Sequence, residues 1–239
     1  MVKLKAMLKQ VQYLAFIDFE ATQYTHEIIA MGIIIYEIRN NYDLVKTGKE
    51  YRFYVKAKGQ VGKIVTELTK ITEDIIDAKG ITIQELDHQI ATIFAPIYFQ
   101  TRFVAFSQSD AAIIKDTIKS NKDFELPNLM GILKRIFDFQ AVLKRYIRNK
   151  NGPYSLKKYL EIFNIVESDP LHDPLTDAKA LGELFIQFLK NKTIVKNEYI
   201  KLLQKHSNPV VSKIITTLYQ NGSISKKEFE AIVLKDLDD

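Results

Sequence analysis

Nine consecutive apolar residues, Ile28 to Tyr36 (IIAMGIIIY), form the longest uninterrupted apolar run of the chain. A membrane-spanning helix needs roughly 20 such residues, so the run argues against a transmembrane segment. Its richness in Ile argues for a β-strand. It belongs to a series. Tyr13 to Asp18, Glu27 to Ile38 and Glu50 to Lys56 (EYRFYVK) read as three successive strands, and the polar segments between them, Ala21 to His26 and Arg39 to Lys49, are short enough for antiparallel connections. Thr82 with Glu85 three residues later forms a capping box, after which Ile83, Leu86, Ile90, Ile93, Phe94 and Ile97 recur at helical spacing. Arg102 to Ser107 (RFVAFS) reads as a strand, and Asp110 opens a helix over Ala111 to Ile118. Ile136 to Gln140 reads as a further strand, and Ser155 to Phe163 and Pro174 to Leu189 read as helices. Three strands followed by strands alternating with helices predict an α/β fold, with a mixed sheet that is partly antiparallel and helices on its faces.

The chain has 239 residues, 46% of them apolar, which is enough for one large domain or one domain with an appendage. Nine Gly, six Pro and 26% charged residues exclude collagen-like, low-complexity and broadly disordered classes. Beyond Asn191 the pattern turns to helices without strands, including Pro209 to Leu218 and Lys226 to Leu234, joined at Asn221-Gly222 and started by a Ser225/Glu228 capping box. The expected division is therefore 1–190 and a helical extension, 191–239. The stretch QNGSISKKEFE lacks the repeated Asp and Asn ligands of a calcium-binding loop. Lys3, Lys5 and Lys9 are not followed by an apolar block with a small-residue cleavage site, and Asp18 and Glu20 fall where a signal peptide would run, so a cytoplasmic protein is expected.

The absence of cysteine excludes disulfides, thiolate zinc sites and cysteine nucleophiles, and leaves oxygen and imidazole as metal ligands. Hard cations such as Mg²⁺ or Mn²⁺ become the default. The net charge is +5, but its placement is uneven: Lys134, Arg135, Lys144, Arg145, Arg148, Lys150, Lys157 and Lys158 face the single acid Asp138. Such a stripe fits contact with a phosphate backbone, with Arg145, Arg148, Lys157 and Lys158 as the tracking residues, or else a solvated helix face.

Three segments carry chemistry. In FIDFEAT (Phe16 to Thr22), strand alternation puts Asp18 and Glu20 on one face and Ile17 and Phe19 on the other. Two carboxylates so placed repel one another unless a cation lies between them or solvent reaches them. In SQSDAAII, Asp110 follows a buried-looking strand and starts a helix, where an Asp also serves as an N-cap; Asp116 points to another face and is solvated. In LHDPLTDAKALGELF (Leu171 to Phe185), Asp173 before Pro174 reads as N-cap and first helical residue, which puts Asp177 in the first turn and His172 on the loop before it. His26, His88 and His206 read as ordinary surface or satisfied histidines.

Taken in order, FIDFEAT, the Asp of SQSDAAIIKD and the H-x4-D spacing of His172 and Asp177 resemble the DEDDh-type 3′–5′ exonucleases of the DnaQ-like (ribonuclease H-like) superfamily. EIIAMGIII, LTKIT (Leu68 to Thr72) and YSLKKYLEIFNI are similar to the family as well, and FSQSD resembles its RNA-directed and KinA-pathway-inhibitor-like branch. The resemblance covers roughly Tyr13 to Leu189. It implies a ribonuclease H-like fold with a five-stranded mixed sheet. Asp18, Glu20, Asp110 and Asp177 would hold two Mg²⁺ or Mn²⁺ ions, Glu20 would take part in catalysis, and His172 would be general base. Ala21 and Thr22 would approach the terminal nucleotide through their backbone, and Leu68, Ile71 and Phe106 would pack on the 3′ base, with core packing the alternative for Phe106. The implied partner is a single-stranded RNA or DNA 3′ end, with a protein partner for the C-terminal helices. A regulatory protein-binding module retaining the fold is the second reading.

Overall fold

The computed structural model describes residues 2–166, 172–206 and 209–238. In chain order the elements are α1 (Val2–Leu8), β1 (Tyr13–Ala21), β2 (Ile28–Ile38), β3 (Leu44–Tyr54), α2 (Lys63–Thr69), α3 (Glu73–Lys79), α4 (Ile83–Phe94), β4 (Thr101–Ala105), α5 (Gln108–Ser120), α6 (Pro127–Arg135) and β5 (Ile136–Asp138). They continue with α7 (Gln140–Leu143), α8 (Leu156–Ile162), α9 (Pro174–Lys190), α10 (Lys192–His206), α11 (Pro209–Asn221) and α12 (Lys226–Asp238). The strands form one sheet in the order β3-β2-β1-β4-β5. The first three pair antiparallel, and β4 and β5 are parallel to β1. Among the described residues no helix is long and apolar enough to cross a membrane.

Both faces of the sheet are covered, which is why β1 and β2 lack the polar alternation of a half-exposed strand. On one face Leu14, Phe16, Ile34, Tyr36 and Val104 pack with Leu181, Leu184, Phe185 and Phe188 of α9. Phe16 meets Tyr36 and Phe185 edge to face at 5.3 and 5.4 Å, an arrangement worth about 0.5–1.5 kcal/mol per pair beyond area burial. On the other face Ala15, Ile17, Phe19, Ile33 and Ile35 pack with Leu86, Ile90 and Phe94 of α4 and Ile132 of α6.

Several elements differ from the sequence expectation. The third strand runs Leu44–Tyr54 rather than Glu50 to Lys56, so most of the expected linker Arg39 to Lys49 is strand. As the edge strand, β3 is largely exposed at Lys46, Gly48, Lys49 and Glu50 and shows no apolar alternation there. β1 continues past Asp18 to Ala21, β5 stops at Asp138 because Gln140 begins α7, and Ile97 lies beyond the end of α4. Helices α1, α2, α3 and α7, of seven residues or fewer, are too short for periodicity to declare and were not expected; α6 was not expected either, although Leu129, Ile132 and Leu133 recur at helical spacing behind Pro127. Ser107, not Asp110, is the N-cap of α5; Asp110 is its N3 residue, reaching back to the Ser107 N–H at 3.3 Å.

Candidate active site

The acids meet where the topology leaves a crevice. β1 has an antiparallel neighbour on one side and the parallel β4 on the other, so the carboxyl ends of β1 and β4 share one edge of the sheet, the usual ligand position in such folds. Asp18 and Glu20 lie at that end of β1, on the face that carries Leu14 and Phe16 toward α9. The pairing of β1 with β2 becomes irregular between Glu20 and Ala21, a bend of the kind found beside active sites.

Asp177 arrives from α9, and a glycine makes its approach possible. Gly32 is the β2 partner of Asp18. A Cβ on Gly32 would lie 2.1 Å from the Pro174 carbonyl oxygen and 2.4 Å from the Leu175 nitrogen, so any other residue would lift the first turn of α9 off the sheet. Asp173 caps that turn, accepting from the Thr176 N–H at 3.0 Å, and is clamped at 2.7 Å by Arg52 of β3, itself the β3 partner of Gly32. His172 sits on the preceding loop with φ 77°, a left-handed conformation strained for a residue with a side chain. Its backbone N–H donates to Asp177 Oδ2 at 3.2 Å. One ligand atom each of Glu20, His172 and Asp177 lies within 4.8 Å of the others, a set able to hold a metal ion.

Asp110 completes the group from α5. It is buried, and backbone N–H groups of Ser107, Asp110 and Phe19 hold its carboxylate. Phe19 stands between Asp18 and Glu20, so Asp110 reaches the same stretch of β1. Burial dominates the electrostatics. It pushes Asp110 up to about 7 against those three hydrogen bonds, with Asp138 adding to the rise. Burial, then Asp177, Asp110 and Asp173, pushes Glu20 up to about 8. Asp18 is raised well above the carboxylate range by burial and by Asp110, Asp177, Glu20 and Asp173. Carboxylates whose strongest neighbours are carboxylates are a cation site by composition: they are costly together when ionised and become favourable around a divalent ion.

The expected contact residues separate. Leu68 is 54% exposed, on the same face of α2 as Ile64 one turn earlier. Helix α2 is docked on the β1–β2 connection by the Ile64 N–H, which donates to Gln23 Oε1 at 3.1 Å. Ile71 is buried in a small cluster with Ile29, Ala30, Val61 and Ile76, and Ala30 is the β2 partner of Glu20. Phe106 is half-buried, 6.1 Å from the Tyr159 ring. Ala21 pairs with Ile28, and the Thr22 N–H donates to the Glu27 carbonyl while its hydroxyl accepts from the Glu27 N–H. Asp116 is only partly exposed, its carboxylate 3.5 Å from His26 Nδ1, and His88 is exposed. The structure describes neither Leu171 nor the side chain of His206. Gly32 and Arg52 were not singled out in the sequence; the Gly inside an otherwise apolar strand was the available signal for the first.

Solved structures share this fold. The complex described as 3′-end specific recognition of a histone mRNA stem-loop by a 3′-exonuclease superposes with a TM-score of 0.62 at 16% identity, over 76% of this chain and 83% of that one. Cell-death related nuclease 4 gives 0.59 at 18% identity, over 77% and 65%. E. coli exonuclease I bound to a dT13 oligonucleotide gives 0.57 at 15% identity, over 81% of this chain but 44% of that one. At these identities the likeness is one of fold. No curated protein sequence is similar enough to match. The family model described as Exonuclease (RNase_T) matches residues 15–185, from the first acidic strand through the helix of Asp177, and on that match, well over half of its length, the chain belongs to the exonuclease family.

Proposed function

We propose that the protein is a metal-dependent 3′–5′ exonuclease that removes nucleoside monophosphates one at a time from single-stranded RNA or DNA. The observation that carries this is the convergence of Asp18, Glu20, Asp110 and Asp177, from three separate elements, with His172 beside them. In this reading residues 1–190 are the exonuclease domain and 191–239 a helical extension, and the chain stands with the RNA-directed, KinA-pathway-inhibitor-like branch.

The four carboxylates would hold two Mg²⁺ or Mn²⁺ ions. When bound, such ions supply a Lewis-acid clamp on the attacking and leaving oxygens of an in-line displacement. The chain's own residues do the rest. A water oxygen forms a bond to the terminal phosphorus, the bond from phosphorus to the 3′-oxygen breaks, and the 3′-oxygen leaves on the shortened strand and takes up a proton from solvent water. The His172 imidazole takes the proton of the attacking water as general base. Its exposure leaves room for water and substrate, and the bond from its backbone N–H to Asp177 fixes it beside the acids. Glu20, adjacent to both, orients the water. The exposed Leu68 offers an apolar surface to the 3′ base, with Ile71 supporting the segment from beneath and Phe106 facing from the end of β4. Ala21 and the backbone around Thr22 line the approach to the terminal nucleotide.

The test is a pair of 5′-labelled single strands of one sequence, RNA and DNA, incubated with Mg²⁺ or Mn²⁺. Stepwise shortening from the 3′ end of at least one strand, stopped by chelation, is expected. Metal-dependent cleavage at internal positions, or no shortening of either strand, would count against it.

A further inference from the structure

The basic residues between Lys134 and Lys158 are not equally free to meet a ligand. Arg135 is committed to the fold: its Nε and one terminal nitrogen donate to the Thr101 carbonyl at 3.1 and 2.8 Å, and its guanidinium lies 5.4 Å from the Tyr98 ring centre. Lys158 pairs with Glu161 at 2.7 Å. Arg148 and Lys150, on the segment between α7 and α8, instead line a cavity of about 260 Å³ with Asn149 and Tyr154. The opposite wall is α10, which contributes Glu198, Lys201, Leu202 and Lys205. The sole carboxylate lining it, Glu198, is engaged by Lys201 at 2.6 Å. Arg148, Lys150 and Lys205 have no ion-pair partner among the described residues. The cavity therefore gathers four basic groups against one carboxylate, and two of the four, Lys201 and Lys205, come from beyond residue 191.

Its position relates it to the carboxylates. Tyr146 and Tyr199 meet edge to face at 5.5 Å and hold α10 against this segment. Tyr154, in the cavity wall, touches Tyr159 at 5.8 Å, and Tyr159 touches Phe106 at 6.1 Å. Phe106 follows the last residue of β4 and precedes the cap of α5, the helix of Asp110. Two ring contacts thus connect the basic cavity to the edge of the sheet where the acids converge.

We propose that this cavity holds the phosphodiester backbone of the nucleic acid upstream of its 3′ terminus, so that α10 belongs to the substrate track. The inference rests on the exonuclease reading and adds to it the element that would grip longer strands. A guanidinium and three ammonium groups around a concave space, with one aromatic ring among them, is the composition that follows a single-stranded backbone. A concave cleft of this size suits a chain of phosphates and sugars; a lipid surface would meet a flat or convex basic face. Strands too short to reach the cavity gain nothing from it.

The full-length variant Lys150→Glu/Lys205→Glu tests this, because both side chains are exposed and the Lys201–Glu198 pair stays intact. Binding of a fluorescent single strand of about 20 nucleotides is measured by anisotropy in a chelator, across a series of salt concentrations. The expected result is at least a tenfold loss of affinity at low salt and a slope of log affinity against log salt flatter by about 1.4, for two phosphates at about 0.7 each. Hydrolysis of a dinucleotide with added Mn²⁺ should proceed at the wild-type rate. Lys150→Gln/Lys205→Gln, which leaves no reversed charge to disturb folding, should give the same slope. An unchanged slope in both variants, equal losses on the long strand and the dinucleotide, or loss confined to binding of phosphatidylserine vesicles or an acidic protein would overturn the proposal. Because the binding arm needs neither metal nor turnover, a protein that hydrolyses nothing yet loses its salt slope refutes the exonuclease reading and keeps the cleft. A protein that hydrolyses and keeps its slope refutes the cleft and keeps the enzyme.

Discussion

The metal-free protein should lose stability as pH rises through the neutral range, and a divalent ion should abolish that loss. Glu20 is raised from 4.5 to about 8 and Asp110 from 3.8 to about 7, each chiefly by burial. A carboxyl whose folded value lies above its unfolded value contributes stability that is complete below the unfolded value and is lost as pH climbs through the folded one. At 1.36 kcal/mol per pH unit, the whole window for Glu20 amounts to about 5 kcal/mol, of which about 3 kcal/mol is gone by about pH 7. Asp110 acts in the same direction but not in full, since its charge is already among the causes that raise Glu20. For a chain of this size, 1 kcal/mol moves the melting temperature by about 2–4 °C. Melting followed by circular dichroism in a chelator should therefore fall on the order of 10 °C between about pH 5 and about pH 8. With millimolar Mn²⁺ the carboxylates are ionised and occupied, and the curve should be flat or rising. Asp18→Asn removes another raised carboxyl and should lessen the metal-free slope. A melting temperature independent of pH in chelator, or the same slope with and without Mn²⁺, would refute the electrostatic reasoning.

Other substitutions separate the parts of the site. Gly32→Ala should cost about 1–3 kcal/mol in urea unfolding by forcing the first turn of α9 off the sheet, and should lower activity further than that cost explains because Asp177 moves with the turn. His172→Ala should leave Mn²⁺ binding intact by calorimetry and lower turnover by about 10²–10⁴-fold, with the residual rate rising as hydroxide replaces the base. Leu68→Ala should raise KM for oligonucleotides with little change in stability, whereas Ile71→Ala, which empties part of a buried cluster, should cost about 2–5 kcal/mol.

The acidic strand was legible because its alternation is strict: Asp18 and Glu20 fall on one face whatever surrounds them, and the structure places them there. The first turn of α9 was legible because Asp173-Pro174 is a local signal that needs no tertiary context. β3 was not, since an edge strand with Lys46, Lys49 and Glu50 in water carries no apolar pattern between Leu44 and Lys49. Helices α2 and α3, seven residues each, are too short for periodicity to declare. The capping role of Ser107 was hidden by Asp110 three residues later, because the two side chains cap reciprocally and the sequence does not say which begins the helix. Gly32 and Arg52 act across three strands through the row Arg52, Gly32, Asp18, and register is a property of pairing that one strand read alone does not display. The basic stripe was visible, but its division into Arg135, committed to the fold, and Arg148 with Lys150, completed by Lys205 from α10, depends on a contact between segments some fifty residues apart.

The central claim is that the converging carboxylates work as one metal-dependent centre acting on the 3′ end. The most direct measurement follows a 5′-labelled single strand with Mn²⁺, for the wild-type protein and Asp18→Asn side by side, with the released products identified by chromatography. The account predicts a ladder descending from the 3′ end with nucleoside 5′-monophosphates as the only small product, absent in chelator and reduced to background in Asp18→Asn while that variant stays folded. A folded Asp18→Asn protein that keeps most of the activity, or products released from the 5′ end, would contradict it.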